Sequence, residues 1–128
     1  MRQSHHRGFS LIELMVVVAI LSVAGALFVP RFLRHQTEKK QEECHKNLRT
    51  LLAAERRYFQ KNNLYAADLE ALGWRPEGKG WHEYRFLPAA EGGFLFQCIG
   101  NIDKDPTLDQ ATINETGRIT QVSDDARQ

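Results

Sequence analysis

The chain has 128 residues, with 17 Lys and Arg against 16 Asp and Glu and a formal net charge of +1. That length holds one domain and excludes a multidomain enzyme, and the near-zero charge argues against a general nucleic-acid binder. With 42% hydrophobic and 26% charged residues the chain is not disordered, and its two cysteines are too few for a small disulfide scaffold.

Residues 9–29 read FSLIELMVVVAILSVAGALFV, in which only Ser10, Glu13, Ser22 and Gly25 are not strongly apolar. A helix of this length spans about 32 Å, close to the ~30 Å hydrocarbon core of a bilayer. No polar stripe recurs every three or four positions, as it would on a core helix of a soluble protein. The run is expected to be a membrane-inserted helix. A removable secretory signal is the alternative. Against it, the run is too long for such an apolar core, lacks a small-x-small cleavage site and carries an acid, Glu13. Arg2 and Arg7 precede the run while Arg31, Arg34, Lys39 and Lys40 follow it. Charge alone therefore points weakly away from a cytoplasmic N-terminus.

The string Arg7-Gly8-Phe9-Ser10-Leu11-Ile12-Glu13, with the apolar run behind it, closely resembles the prepilin signal of type IV pilins and type II secretion pseudopilins. Further similarity extends to about Tyr65. The resemblance implies cleavage after Gly8 by a membrane-embedded aspartic prepilin peptidase, methylation of Phe9, and Glu13 as the acid that recruits the next subunit. Pro30 matches the proline that commonly kinks the family's helix, whereas the glycine often found at the position of Ser22 is displaced to Gly25. The chemistry of Glu13 agrees: a lone carboxylate in hydrocarbon costs at least ~2.5 kcal/mol. The amine created on Phe9 of a neighbouring copy would neutralise it. An acid that snorkels to the membrane interface is the plainer alternative.

Residues 31–63 contain no Gly or Pro and are rich in helix formers. A helix running from Phe9 to about Lys61 would be roughly 80 Å long. Cys44, Leu48, Leu51, Leu52, Tyr58 and Phe59 fall on one face, while residues 37–43 are polar all round and are expected to lie outside any core. Asn62-Asn63 ends the pattern, and residues 66–72 are expected as a short helix stopped by Gly73. Strands are expected at 81–87 and 94–99, joined by a Gly92-Gly93 turn, and at 110–114 and 117–122 around Glu115-Thr116-Gly117. The fold class is α+β: a long N-terminal helix packed through its second half on an antiparallel sheet of about four strands, as in the pilin fold. The organisation expected is a leader at 1–8, a transmembrane and filament-core helix at 9–29, a continuing amphipathic helix at 30–62 and a head at 63–128.

Cys44 and Cys98 lie on faces that should meet, so a disulfide and two separate buried thiols are both open readings. Asp103, Asp105 and Asp109, near Asn101, offer oxygen ligands at a spacing that suits calcium, though not as an EF-hand; an ordinary Asx-rich turn is the alternative. Otherwise no cofactor is implied. His35, His45 and His82 are too scattered for zinc and are expected to be surface or satisfied residues. Trp74, Trp81, Tyr58 and Phe59 offer a contact patch for a neighbour or, more simply, packing within the head.

No nucleophile triad, phosphate loop or catalytic carboxylate pair is evident, so the chain is not expected to be an enzyme. The resemblance implies a structural subunit of a type IV pilus-like filament. Its partners would be copies of itself, the peptidase and methyltransferase, the assembly machinery of the bacterial inner membrane, and the bilayer before assembly. The N-terminus would be cytoplasmic and the head periplasmic, then extracellular in the pilus. A pseudopilin of type II secretion or a minor pilin are alternatives within the family. A membrane-anchored binding module that never polymerises is the alternative from another class, but the head lacks the basic excess and stacking platform that DNA binding needs. The charges divide unevenly: residues 31–61 carry nine basic and four acidic side chains, and residues 62–128 carry six basic and eleven acidic. Basic stem and acidic head could steer copies together, or could be two solvated faces.

Overall fold

The computed structural model describes residues 8–88, 92–103 and 106–124. Two compact units emerge, Met1–Arg34 and His35–Gln128. One helix, α1, is assigned over Leu11–Asn62 and contains Pro30.

In the first unit the helix is long and apolar enough to cross a membrane. Its large side chains are exposed, among them Leu11, Ile12, Leu21, Leu27 and Phe28. Apolar surface of that extent is stable only against lipid or protein. The Ser22 hydroxyl donates to the Val18 carbonyl at 2.7 Å, so this polar group is satisfied within the helix itself.

The second unit packs α1 from Cys44 onward against a sheet of β1 (Glu83–Pro88), β2 (Phe94–Gly100), β3 (Asp109–Asn114) and β4 (Ile119–Ser123). Every neighbouring pair is antiparallel and the spatial order is β1-β2-β3-β4, a plain meander. All four strands lie close to their expected positions. Period-2 alternation places Phe94, Phe96 and Cys98 of β2 beside Ala111 and Ile113 of β3, and Cys44, Leu48, Leu51 and Leu52 of the helix close over them. Tyr58 is half-buried, and Phe59 stacks on Tyr65 with ring centroids 4.6 Å apart. Trp74 packs edge-on against Tyr84, and its indole N–H donates to Thr50 Oγ1 at 3.0 Å.

One expectation is corrected. Residues 66–72 form no helix: the Asp68 carboxylate takes the Ala71 N–H at 2.8 Å, and the segment closes in turns at Gly73, whose φ is +59°. Residues 37–43 lie outside the buried core, as expected, and still contact the head. Lys40 Nζ donates to the Ile102 carbonyl at 2.7 Å and lies 4.1 Å from the centre of the Trp81 ring. Glu43 accepts from Lys79 N–H at 3.2 Å. Polar residues dock this stretch by hydrogen bonds instead of apolar contact.

Buried polar groups also interrupt the apolar face. Asn47 donates to the Glu77 carbonyl and the Tyr84 hydroxyl, both at 2.8 Å, and its Oδ1 accepts from Glu77 N–H at 3.0 Å. Glu55 Oε1 accepts from Ala66 N–H at 2.7 Å, while its Oε2 is buried without a partner. Burial pushes the Glu55 carboxyl above its ordinary pKa, and the Ala66 hydrogen bond only partly opposes this.

Cys44 and Cys98 form a disulfide with Cα atoms 6.2 Å apart, closing a loop of 54 residues between helix and sheet. Chain entropy alone assigns such a loop about 4 kcal/mol. The double Cys44→Ala, Cys98→Ala variant should lose stability of that order, read from urea unfolding midpoints of the full chain in detergent. A second expectation concerns Glu55. A carboxyl raised by folding contributes a loss of stability as pH climbs from its unfolded value, about 4.3, through its higher folded value. Glu55→Gln keeps an acceptor for Ala66 and cannot ionise. Its midpoint should therefore gain on the wild type as pH rises, and parallel pH profiles would contradict this.

Candidate functional site

Gly8 and Phe9 precede the helix, and Phe9 is 71% exposed. Leu14 N–H donates to the Ser10 carbonyl at 3.1 Å, which places Glu13 in the first turn of α1. There an acid meets the positive end of the helix dipole. Glu13 is exposed, as are the apolar residues around it. The arrangement is a helix end carrying one carboxylate within a surface otherwise suited to hydrocarbon. It holds no group for bond-making chemistry; what it can do is insert and associate.

The second unit contains a buried polar cluster that sequence reasoning missed. Asp109 Oδ1 accepts from Gln41 Nε2 at 2.9 Å and Gln121 Nε2 at 2.7 Å, and its Oδ2 faces His82 Nε2 at 3.0 Å. The side chains of His82 and Asp109 are fully buried. Gly100 explains how they meet. In the register of β2 on β3, Gly100 stands opposite Asp109, and the chain entering β1 brings Trp81 and His82 against Gly100 from the other side. A Cβ on Gly100 would collide with the Trp81 carbonyl and press on the His82 ring. Its absence lets imidazole and carboxylate touch across the middle strand.

This arrangement corrects the reading of Asp109 as a calcium ligand beside Asp103 and Asp105. Both of its oxygens are held inside the head by three side chains, whereas Asp103 is exposed and Asp105 lies outside the described residues. His82, expected at the surface or satisfied, is buried with Nε2 satisfied and Nδ1 without a partner. His45 is half-buried against Gln121 at 3.0 Å, and His35 is exposed. Of the aromatic candidates, Trp81 and Phe59 keep about two-fifths of their surface exposed.

An exposed membrane-length helix continued into a head of four antiparallel strands defines a pilin-like subunit. The description "Prokaryotic N-terminal methylation motif" matches residues 3–29. The chain is 38% identical over 85 residues to the type IV major pilin PilA of Myxococcus xanthus, a match covering 66% of this chain and 39% of that protein. It is 31% identical over 116 residues to the type II secretion system core protein G of Pseudomonas aeruginosa, covering 83% of this chain and 82% of the relative. Against core protein G of Vibrio cholerae the identity is 32% over 102 residues, covering 77% of this chain and 64% of that one. A type IV pilin from Shewanella oneidensis shares the fold, with a TM-score of 0.51 and 18% identity over 69% of this chain and 94% of that structure. The chain belongs to the family of type IV pilins and type II secretion pseudopilins, structural subunits and not enzymes.

The cross-strand contact is open to test. Gly100→Ala should destabilise the head by about 1–3 kcal/mol through overpacking. It should also shift the His82 ring resonances in NMR, since the imidazole must move; unchanged stability and unchanged His82 shifts would contradict the assignment of Gly100 as the gap.

Proposed function

We propose that the chain is a structural subunit of a type IV pilus-like filament. Residues 9–29 anchor it in the bacterial inner membrane before assembly and hold it to copies of itself afterwards. The observation that carries this reading is the exposed apolar helix with Glu13 in its first turn, directly behind the Gly8-Phe9 junction.

On this reading a prepilin peptidase removes residues 1–8 at the cytoplasmic face and Phe9 becomes the methylated first residue. Cleavage also removes Arg2 and Arg7 and creates a cationic amine beside an apolar surface. Glu13 of one subunit then neutralises the Phe9 amine of its neighbour. Each charge alone is expensive in hydrocarbon, so the pair favours addition of a subunit over dispersal in the bilayer. The head lies in the periplasm before assembly and outside the cell in the filament. The processing enzyme, the inner-membrane assembly machinery and other copies of the chain are the partners this scheme requires.

The match over 82% of the length of core protein G favours a second reading, a pseudopilus of type II secretion, with the same assembly chemistry.

Mass analysis of native material should find methyl-Phe9 as the first residue, and sheared extracellular filaments should contain the chain. Glu13→Ala should insert in the membrane normally yet fall at least tenfold in the sheared fraction. Wild-type filament yield from that variant would overturn the assembly role of Glu13. Processed chain confined to the cell envelope, with exoprotein release lost on its deletion, would select the pseudopilus.

A further inference from the structure

The cysteine pair has a third neighbour. A ring nitrogen of His82 and the sulfurs of Cys44 and Cys98 all lie within 4.8 Å of one another, and all three residues are buried. Nε2 of that ring is engaged by Asp109, while Nδ1 is buried with no hydrogen-bond partner. A carboxylate only accepts, so Nε2 is the donor in that contact, and Nδ1 is the ring nitrogen left for another partner. A buried ring nitrogen with no partner is unfavourable in an apolar core unless something binds it.

We propose that, with Cys44 and Cys98 as thiols, the head holds one Zn2+ through their two sulfurs and His82 Nδ1. The geometry suits the ion. Zn–S bonds of about 2.3 Å and Zn–N bonds of about 2.0–2.1 Å set ligand atoms roughly 3.5–3.8 Å apart. Opening the bridge lets the sulfurs separate toward that spacing. The fourth tetrahedral position falls to water, as in three-ligand sites. Asp109, behind the imidazole and itself fixed by Gln41 and Gln121, is the outer carboxylate that orients a zinc-bound histidine.

Charge also selects the ion. Each thiol loses its proton to solvent when zinc binds, and two thiolates, a neutral imidazole and Zn2+ sum to zero in a core that includes Phe94, Phe96 and Ala111. A monovalent soft ion would leave a net negative charge beside buried Asp109. Zinc and disulfide exclude each other, since each needs both sulfurs. The newly made chain carries both cysteines as thiols, so the zinc form precedes the bridge, holds α1 on β2 in its place and blocks premature oxidation. This inference is independent of the filament reading.

The test uses the full chain in detergent, treated anaerobically with a water-soluble phosphine. The phosphine becomes its oxide with oxygen from water, and the S–S bond gives two thiols. Zn2+ titrated against a chromophoric chelator should bind the reduced chain one to one and the oxidised chain not at all. Co2+ in its place should give the thiolate charge-transfer absorption of two sulfurs with tetrahedral ligand-field bands. Asp109→Asn should weaken zinc binding by about 10–100-fold, and His82→Ala by more. His82→Cys, which restores a third soft ligand, should recover it. No zinc bound by the reduced wild type would overturn the site. So would equal affinity in His82→Ala, the result expected if reduction unfolds the head and zinc meets only loose thiols.

Discussion

The structure depends on one burial event: the face of α1 from Cys44 to Leu52 closing on the inner face of the meander. A single four-stranded sheet has a hydrophobic side that water cannot cover, and one helix is the smallest element that can shield it. Phe94, Phe96 and Ile113 are fully buried in one cluster with Leu48 and Leu51, and each large side chain so buried contributes about 1.5–3 kcal/mol. The core uses no residue before Cys44 among the described ones. The apolar run at 9–29 is thus left for a different environment by the arithmetic of the core itself.

Apolar contact fixes that the helix packs on the sheet; buried hydrogen bonds fix how. Asn47 satisfies both its donor and its acceptor on Glu77 and Tyr84, and Glu55 reaches the backbone at Ala66. Rotating or sliding α1 by one residue would leave these groups desolvated and unpaired, which costs about 1–3 kcal/mol apiece. Leucines alone tolerate such slippage far better. The Asp109 cluster does the same at the other end of the contact, gathering Gln41 from the helix with Gln121 and His82 from opposite edges of the sheet.

Much of this was legible in the sequence. The membrane-length run, the helix carried past Pro30, the four strands and the turn at Gly117 all follow from periodicity and from glycine placement. What was not legible has a common cause. Asn47 and Glu55 read as breaks in an apolar stripe, because a sequence shows no partner for a buried polar residue. His82 and Asp109 stand 27 residues apart and meet only across Gly100, a contact set by strand register and by a missing side chain. Asp109 looked like a loop ligand because its neighbours in sequence are Asx-rich; its neighbours in space are donors. Residues 66–72 have helical propensity, yet they close in turns at Gly73.

The uneven charge takes a narrower meaning once the contacts are known. Part of the basic excess at 31–61 is used within the head: Lys46 pairs with Glu77 at 3.1 Å, and Lys40 is committed to the Ile102 carbonyl and the Trp81 ring. Lys46 and Glu77 are both more than half exposed, and such a pair is worth about 0–1 kcal/mol, so these contacts arrange charge more than they stabilise. Arg56, Arg57 and Lys61 near the end of α1 are exposed, and so are Asp68, Glu70 and Glu115 among the head's acids. Any electrostatic register between copies must draw on exposed groups of this kind. Their influence is screened within about 8 Å at physiological salt, so it can act on the last step of docking but not on the encounter at long range.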